Sequence, residues 1–222
     1  LAVHSPSQEE AFMAGGHGIN RRCFAYNYFI IVGPANDPAG IRGMKPEDAF
    51  TKLVTMGKAG TPGVSLISRG DNSGTHSAEK NIWKAAGYNY TTDVQKSGNW
   101  YIEAGRGMGE TLQLASEKQA YTLTDEGTYL AYKGNLALVP VIEQGDILLN
   151  VYSVITVYTP TQATEKIAMA NNFVDFLISP EIQAAIAEFG KEKYGKNLFT
   201  PMAGECSRFK CDCAGQAEDM TP

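Results

Sequence analysis

Two long apolar segments constrain the fold of this chain more than any other feature of its sequence. Residues 23–32 read CFAYNYFIIV and residues 148–158 read LLNVYSVITVY, and such runs are typical of buried strands. Between them, shorter strand-like runs alternate with helical stretches, which indicates an α/β protein with mainly parallel strands. We therefore predict that the chain leaves one lobe along the first long strand and returns along the second.

The two predicted crossover strands divide the chain into two lobes. Lobe I is expected to take residues 1–30 and 153–222, and lobe II residues 31–152, so that each lobe has the size of a small domain. Such a chain is organised as a two-lobed clamp with a cleft between the lobes. From residue 204 onward the sequence is polar and is expected to form a loose tail.

Composition narrows the range of partners and cofactors. The net charge of the chain is −5, whereas nucleic acids and acidic membranes attract basic surfaces, so neither is expected as a partner. No apolar run approaches the roughly 18 residues that a membrane helix needs. Cys206, Cys211 and Cys213 crowd the C-terminus with a spacing that fits no standard zinc pattern, and we predict no metal site. The cysteines leave the cellular compartment and their own redox state open.

The segment SRGDNSGTH, residues 68–76, carries the strongest functional pattern, because it stands where a strand-like run gives way to a helical stretch. A helix N-terminus offers unpaired N–H groups and the positive end of the helix dipole. Arg69 adds a planar guanidinium suited to oxyanions, and Ser73 and Thr75 add hydroxyl donors. Gly74 permits close backbone approach. Together they predict a cradle for a small oxyanion such as phosphate or a metal oxyanion.

A purely structural interpretation of the same segment stands beside this one. In it, Ser73 only caps the helix and Arg69 pairs with Asp71. A second glycine-rich segment, GRGMGET at residues 105–111, also opens a helical stretch, although a glycine-rich turn alone is more often only a turn. Two such cradles on facing helix ends would favour anion binding more strongly than either alone.

An enzymatic alternative rests on Ser77 and Lys80. The letters SAEK match the S-x-x-K pattern of penicillin-recognising enzymes, with Ser77 as nucleophile and Lys80 as base of a serine acyl-transferring enzyme. The companion triads of those enzymes do not occur as separate segments, because KSG and SGN overlap within residues 96–99. We therefore predict that the protein is not an enzyme.

Three segments resemble the tungstate-binding proteins of bacterial ABC importers: residues 18–41, residues 68–76 and residues 101–131. The resemblance extends from about residue 1 to residue 202. It implies an α/β, two-lobed periplasmic-binding-protein fold of type II and a receptor that captures tungstate, or molybdate, between its lobes. It also implies a periplasmic or other extracytoplasmic location, delivery of the oxyanion to a membrane permease, and no cofactor. The site residues that the resemblance implies are Ser68, Arg69, Ser73, Gly74 and Thr75, with Gly109 and Thr111 near them.

Phosphate is the alternative ligand, because phosphate-binding proteins share the order Arg-x-Asp-x-Ser-Gly-Thr. Tungstate is a dianion that only accepts hydrogen bonds, whereas phosphate partly retains a proton and benefits from a carboxylate acceptor. For a tungstate site we therefore predict that Asp71 faces away from the anion and pairs with Arg69 or with a backbone N–H.

The start of the chain departs from the family pattern. The family begins with a strand and a Ser/Thr-rich loop that contacts the anion, and neither precedes the LAVHSP of residues 1–6. We therefore expect an incomplete first lobe, with an open sheet edge that favours self-association. Because the missing loop would supply many of the donors that desolvation of an anion requires, we also expect weak tungstate binding by this chain alone.

Overall fold

The computed structural model describes residues 1–204, so Cys206, Cys211, Cys213 and nearly all of the predicted tail lie outside the described residues. The chain divides into two structural units. Unit 1 consists of Leu1–Asn27 and the segment that begins at Asn150, and unit 2 consists of Tyr28–Leu149. No helix in residues 1–204 is long and apolar enough to cross a membrane.

Eight strands and eight α-helices are found in the described residues. In chain order they are β1 (Ala2–Val3), α1 (Pro6–Ala14), β2 (Gly18–Pro34), α2 (Pro46–Lys58), β3 (Leu66–Ser68), α3 (Gly74–Ala85), β4 (Tyr101–Glu103), α4 (Met108–Lys118), β5 (Thr122–Asp125), α5 (Glu126–Tyr132), β6 (Leu138–Ile142), β7 (Leu149–Val157), α6 (Thr164–Ile178), α7 (Pro180–Glu188), α8 (Lys191–Tyr194) and β8 (Thr200–Pro201). A turn of π-helix at Tyr90–Val94 precedes β4.

Unit 1 is held together by antiparallel pairing and by a buried ion pair. Strand β1 pairs with β7, and β8 pairs with the first part of β2. Inside the unit, Arg21 Nη2 lies 2.8 Å from Glu9 Oε2, and the Ser153 hydroxyl donates to the same oxygen at 2.6 Å. Because both charged side chains are almost fully buried, these bonds satisfy groups that would otherwise destabilise the unit.

The break between α6 and α7 falls at Ser179 and Pro180. Pro180 occupies the first turn of α7, where its missing N–H costs nothing, and the Ser179 hydroxyl accepts from Ile182 N. The same rule places Pro46 at the start of α2.

In unit 2 the prediction of mainly parallel strands is wrong. Strand β2 pairs antiparallel with both β5 and β6, whereas β3 pairs parallel with β4 and forms a parallel bridge from Leu66 to Tyr121, just before β5. The βα alternation holds for β3, β4 and β5, each of which follows a helix. Strand β2 also lies between two helices, α1 and α2, but it runs antiparallel to its partners β5 and β6.

An aromatic core lies beneath the strands of unit 2. The Phe50 ring on α2 and the Trp83 ring on α3 have centroids 4.3 Å apart, and Trp83 also meets the rings of Trp100 and Tyr101 edge to face at 6.2 Å. All four side chains are buried. A Cβ atom at Gly57 on α2 would overlap the Trp100 ring, so this glycine sets how closely α2 approaches the core.

We expect the substitution Gly57→Ala to lower the free energy of unfolding by about 1–3 kcal/mol, because overpacking a rigid aromatic core outweighs the better helix propensity of alanine. Urea denaturation of the two proteins measures the difference. Gly134→Ala is the matched control, since a Cβ atom there would have no neighbour within 4 Å. Equal stability of Gly57→Ala and the wild type would contradict this account of the core.

Candidate functional site

The two glycine-rich loops begin side by side at one edge of the sheet in unit 2. Strands β3 and β4 run parallel with Ser68 opposite Glu103. Two hydrogen bonds continue the pairing beyond the strands, from Ala104 N to Ser68 O and from Gly105 N to Arg69 O, both at 2.8 Å. Both strands then lead into helices, so α3 and α4 start from the same edge, where ligands of α/β proteins commonly bind.

The first turn of α3 leaves two backbone donors without an acceptor. Ser73 is the N-cap, and its hydroxyl accepts from His76 N at 3.3 Å. The Ser73 N–H itself donates to Asp71 Oδ1 at 3.1 Å. Among the described residues no acceptor contacts the N–H groups of Gly74 or Thr75. These two N–H groups lie at the positive end of the helix dipole, so they can donate to an anion.

Arg69 and Asp71 form an ion pair within this loop, with 2.5 Å between Nη2 and Oδ2. The predicted pairing of Asp71 with Arg69 and with a backbone N–H is therefore present. Burial tends to raise the pKa of Asp71, but its hydrogen bonds with Ser73 and the Arg69 guanidinium bring that pKa below its usual value. The Nε atom of Arg69 is buried and has no hydrogen-bond partner in residues 1–204. One donor of the guanidinium is thus left over.

Besides Ser73, two more of the predicted ligand hydroxyls bind the backbone. Ser68 is buried, and its Oγ accepts from Gly70 N at 3.1 Å. Thr111 is fully buried on α4 and donates to Gly107 O at 2.9 Å. These bonds hold the shapes of the two loops. A direct contact of either hydroxyl with a ligand stays a prediction.

Two glycines of these loops are required by close contacts inside the protein. Gly70 has a φ of +63°, and a Cβ atom there would lie 2.6 Å from Glu103 Cβ. A Cβ atom at Gly109 would overlap the hydroxyl and ring of Tyr132. Packing against Tyr132 therefore explains the glycine at position 109 without a ligand, and its place near the anion stays a prediction.

We expect Gly109→Ala to destabilise the protein by about 1–3 kcal/mol, since the new methyl group displaces the Tyr132 ring. The double variant Gly109→Ala/Tyr132→Ala should recover part of that loss, because the methyl group then fills the space of the missing ring. A double-mutant cycle by chemical denaturation measures the coupling. Strict additivity of the two substitutions would show that the two side chains do not compete for the same space.

A buried carboxyl group lies beneath the first loop, and the sequence interpretation missed it. Glu79 Oε1 accepts from Tyr101 OH at 2.6 Å and from Trp83 Nε1 at 3.0 Å. Burial raises the pKa of Glu79, and the hydroxyl groups of Ser68 and Tyr101 offset only part of that effect. The signal available in the sequence is helical spacing, because Glu79 precedes the buried Ile82 and Trp83 by three and four positions.

The raised pKa of Glu79 sets a pH dependence of stability. The folded protein favours the neutral carboxyl, so wild-type stability should fall, relative to Glu79→Gln, as pH rises above the ordinary pKa of glutamic acid. The slope can reach about 1.4 kcal/mol per pH unit. Urea denaturation of both proteins between pH 5 and pH 8 tests this, with the exposed Glu117→Gln as control. A difference that does not change with pH would contradict the buried neutral carboxyl.

Lys80 does not serve the enzymatic alternative. Its Nζ atom donates to Asn72 Oδ1 at 2.8 Å and lies over the Tyr90 ring, 5.0 Å from the centroid. The ammonium group is thus committed to the loop before α3. Within residues 1–204, no group of three or more His, Cys, Asp or Glu side chains is placed to hold a metal ion.

Comparison with known proteins identifies the class. The family model described as the PBP superfamily domain matches residues 1–181. The tungstate-binding protein TupA of Peptoclostridium acidaminophilum is 42% identical over 205 residues, which make up 92% of this chain and 68% of that protein.

Two solved structures show the same architecture. The tungstate-binding protein TupA from Desulfovibrio alaskensis G20 has a TM-score of 0.72 at 40% identity, covering 90% of this chain and 77% of that chain. The structure described as the tungstate ABC transporter from Geobacter sulfurreducens has a TM-score of 0.70 at 41% identity, covering 85% of this chain and 75% of that chain.

The chain belongs to the PBP superfamily and, within it, to the family of the tungstate-binding proteins. The predicted two-lobed α/β fold with two crossover strands is therefore confirmed. So is the prediction that the protein is not an enzyme, because the family consists of solute-binding proteins. The acyl-transfer hypothesis for Ser77 and Lys80 is wrong.

Proposed function

We propose that this protein captures tungstate at the first turn of α3 and delivers it to the membrane permease of an ABC importer. The observation that carries the proposal is the set of unused donors in one loop. The N–H groups of Gly74 and Thr75 have no acceptor among the described residues, and the buried Nε of Arg69 has no partner there either. Donors left without acceptors at a helix N-terminus suit an oxyanion.

The first turn of α4 adds to this set. Its N-cap is Gly107, which has no side chain to accept from the helix. In residues 1–204 the N–H groups of Met108 and Gly109 likewise contact no acceptor. Because β3 and β4 are adjacent and parallel, two helix dipoles start from the same sheet edge.

The chemistry of Asp71 favours tungstate over phosphate. Each oxygen of this carboxylate already accepts a hydrogen bond, one from Arg69 and one from Ser73 N. A loop whose remaining groups are donors suits an anion without protons, and tungstate at neutral pH is such an anion. Molybdate has the same charge and shape, so the proposal includes it as a second ligand. The relatives whose names specify tungstate support this choice.

The proposal also covers location and partners. A receptor that hands its ligand to an importer works on the outer side of the membrane, so we expect the protein in the periplasm or on the outer face of the cell. The structure described as the tungstate ABC transporter from Geobacter sulfurreducens supports the permease as partner.

We expect Arg69→Ala to lose most of the thermal stabilisation that tungstate gives to the wild type. A ligand at about 100 times its dissociation constant adds about 2.7 kcal/mol to stability, which a melting curve resolves easily. Arg69→Lys keeps the charge but loses the planar fork, so it should retain only part of the effect. Lys84→Ala, which removes an exposed positive charge from the last turn of α3, is the matched control and should respond like the wild type.

The same melting curves with molybdate, phosphate and sulfate decide the ligand. Stabilisation by tungstate and molybdate without stabilisation by phosphate agrees with the proposal, whereas a larger effect of phosphate would replace it by a phosphate receptor. An undiminished response of Arg69→Ala to tungstate would remove Arg69 from the site.

A further inference from the structure

His76 is the buried end of a series of hydrogen-bonded polar groups that leads from the loop before α3 to the exposed Glu103. The side chain is 2% exposed. Its Nδ1 atom lies 2.9 Å from the backbone N of Asn72, and its Nε2 atom lies 2.9 Å from the Tyr90 hydroxyl. Tyr90 in turn donates to Glu103 on β4, whose carboxylate also accepts from Gln95 at 3.0 Å.

The hydrogen-bond partners of His76 determine the tautomer of its imidazole ring. A backbone N–H can only donate, so Nδ1 of His76 must accept from Asn72 and carries no proton. The Tyr90 hydroxyl uses its single hydrogen to donate to the Glu103 carboxylate, so towards His76 it can only accept. Nε2 is therefore the donor and carries the proton of the neutral ring. A doubly protonated ring would place a second N–H against the N–H of Asn72.

The loop itself depends on this acceptor. Asn72 has a φ of +57°, which is uncommon for a residue with a side chain and requires support from its surroundings. Two residues of α3 hold it there, His76 through the backbone N–H and Lys80 through the side-chain amide oxygen. Ser73 follows directly, and its hydroxyl accepts from His76 N.

This arrangement is a variant of the capping box. In the usual form, the third residue of the helix accepts from the N–H of the N-cap residue. Here the N–H of the N-cap Ser73 is taken by Asp71, and His76 reaches one residue further back, to Asn72. These two bonds fix the start of α3, and the next two N–H groups, of Gly74 and Thr75, have no partners among the described residues.

We propose that His76, as the neutral Nε2–H tautomer, is a positioning residue of the oxyanion site. It holds Asn72 in the left-handed conformation and so orients the free N–H groups of Gly74 and Thr75. The ligand in this statement rests on the proposed function, but the hydrogen bond from Asn72 to His76 does not.

The surroundings of the ring agree with a neutral imidazole. Burial lowers the pKa of His76, and the positive charges of Lys80 on α3 and Arg69 in the loop act in the same direction. The carboxylates of Glu103 on β4 and Asp71 in the loop act against it without reversing it.

Nitrogen NMR of the unliganded protein tests the tautomer directly. We expect the shift of an unprotonated Nδ1 and of a protonated Nε2 for His76, together with slow hydrogen exchange at the Asn72 amide. Tyr90→Phe removes the acceptor of Nε2, so it should shift the ring towards the other tautomer and speed exchange at Asn72. A protonated Nδ1 in the wild type would overturn the proposal.

Tungstate titration calorimetry tests the consequence for binding. We expect His76→Leu to weaken binding at least tenfold, and His76→Asn to recover part of the loss, because its amide oxygen can replace Nδ1 as the acceptor. Tyr129→Phe is the control for a lost buried hydroxyl, since Tyr129 bonds Leu138 O away from this loop; it should leave binding unchanged. Melting temperatures of all variants separate lost binding from lost folding.

The outcomes distinguish the two proposals. If the wild type binds tungstate and the dissociation constant of His76→Leu is within a factor of two of the wild-type value, His76 does not position the site. If the wild type binds no tungstate, the proposed function fails, and the NMR measurements alone decide whether His76 holds Asn72. Weak binding by folded His76→Leu, improved by His76→Asn, supports the proposal.

Discussion

Two backbone hydrogen bonds beyond the ends of β3 and β4 determine where every other part of the candidate site lies. By continuing the parallel pairing, the bonds from Ala104 to Ser68 and from Gly105 to Arg69 keep both loops in register. The chain must then turn sharply, and Gly70 makes this possible next to Glu103 because it has neither a Cβ atom nor a preference against positive φ. Two helix N-termini at one sheet edge are the result.

Most polar groups of the candidate site form hydrogen bonds with one another. The few donors that have no partner among the described residues are therefore the candidates for binding a ligand. Ser68, Ser73 and Asp71 all accept backbone N–H groups from within residues 68–76, so these bonds hold the shape of the loop and of the first turn of α3. A site organised in advance avoids the entropic cost of ordering donors on binding. Beneath it, burial favours the neutral form of Glu79, so this side chain puts no buried negative charge beside the candidate site.

Local chemistry could be predicted from the sequence, and contacts between distant residues could not. Pro46 and Pro180 are local signals for the starts of α2 and α7. The motif at 68–76 stands where it was expected, between β3 and α3. Strand β4 has only three residues, too few to show a pattern in the sequence. The predicted strand direction was wrong because direction depends on how the connections between strands run. The bonds of His76 and Glu103 with Tyr90 join residues 14 and 13 positions apart, and no periodicity records them.

The aromatic core has an optical consequence. The chain contains two tryptophans, and Trp83 and Trp100 lie in contact in unit 2, with the indole N–H of Trp83 bonded to the carboxyl group beneath the candidate site. The tryptophan emission of the protein therefore comes from one cluster, and it reports on unit 2 alone. Circular dichroism, by contrast, records the helices of both units. A melting curve followed by both signals would therefore reveal, without any added label, whether the two units unfold together or in sequence.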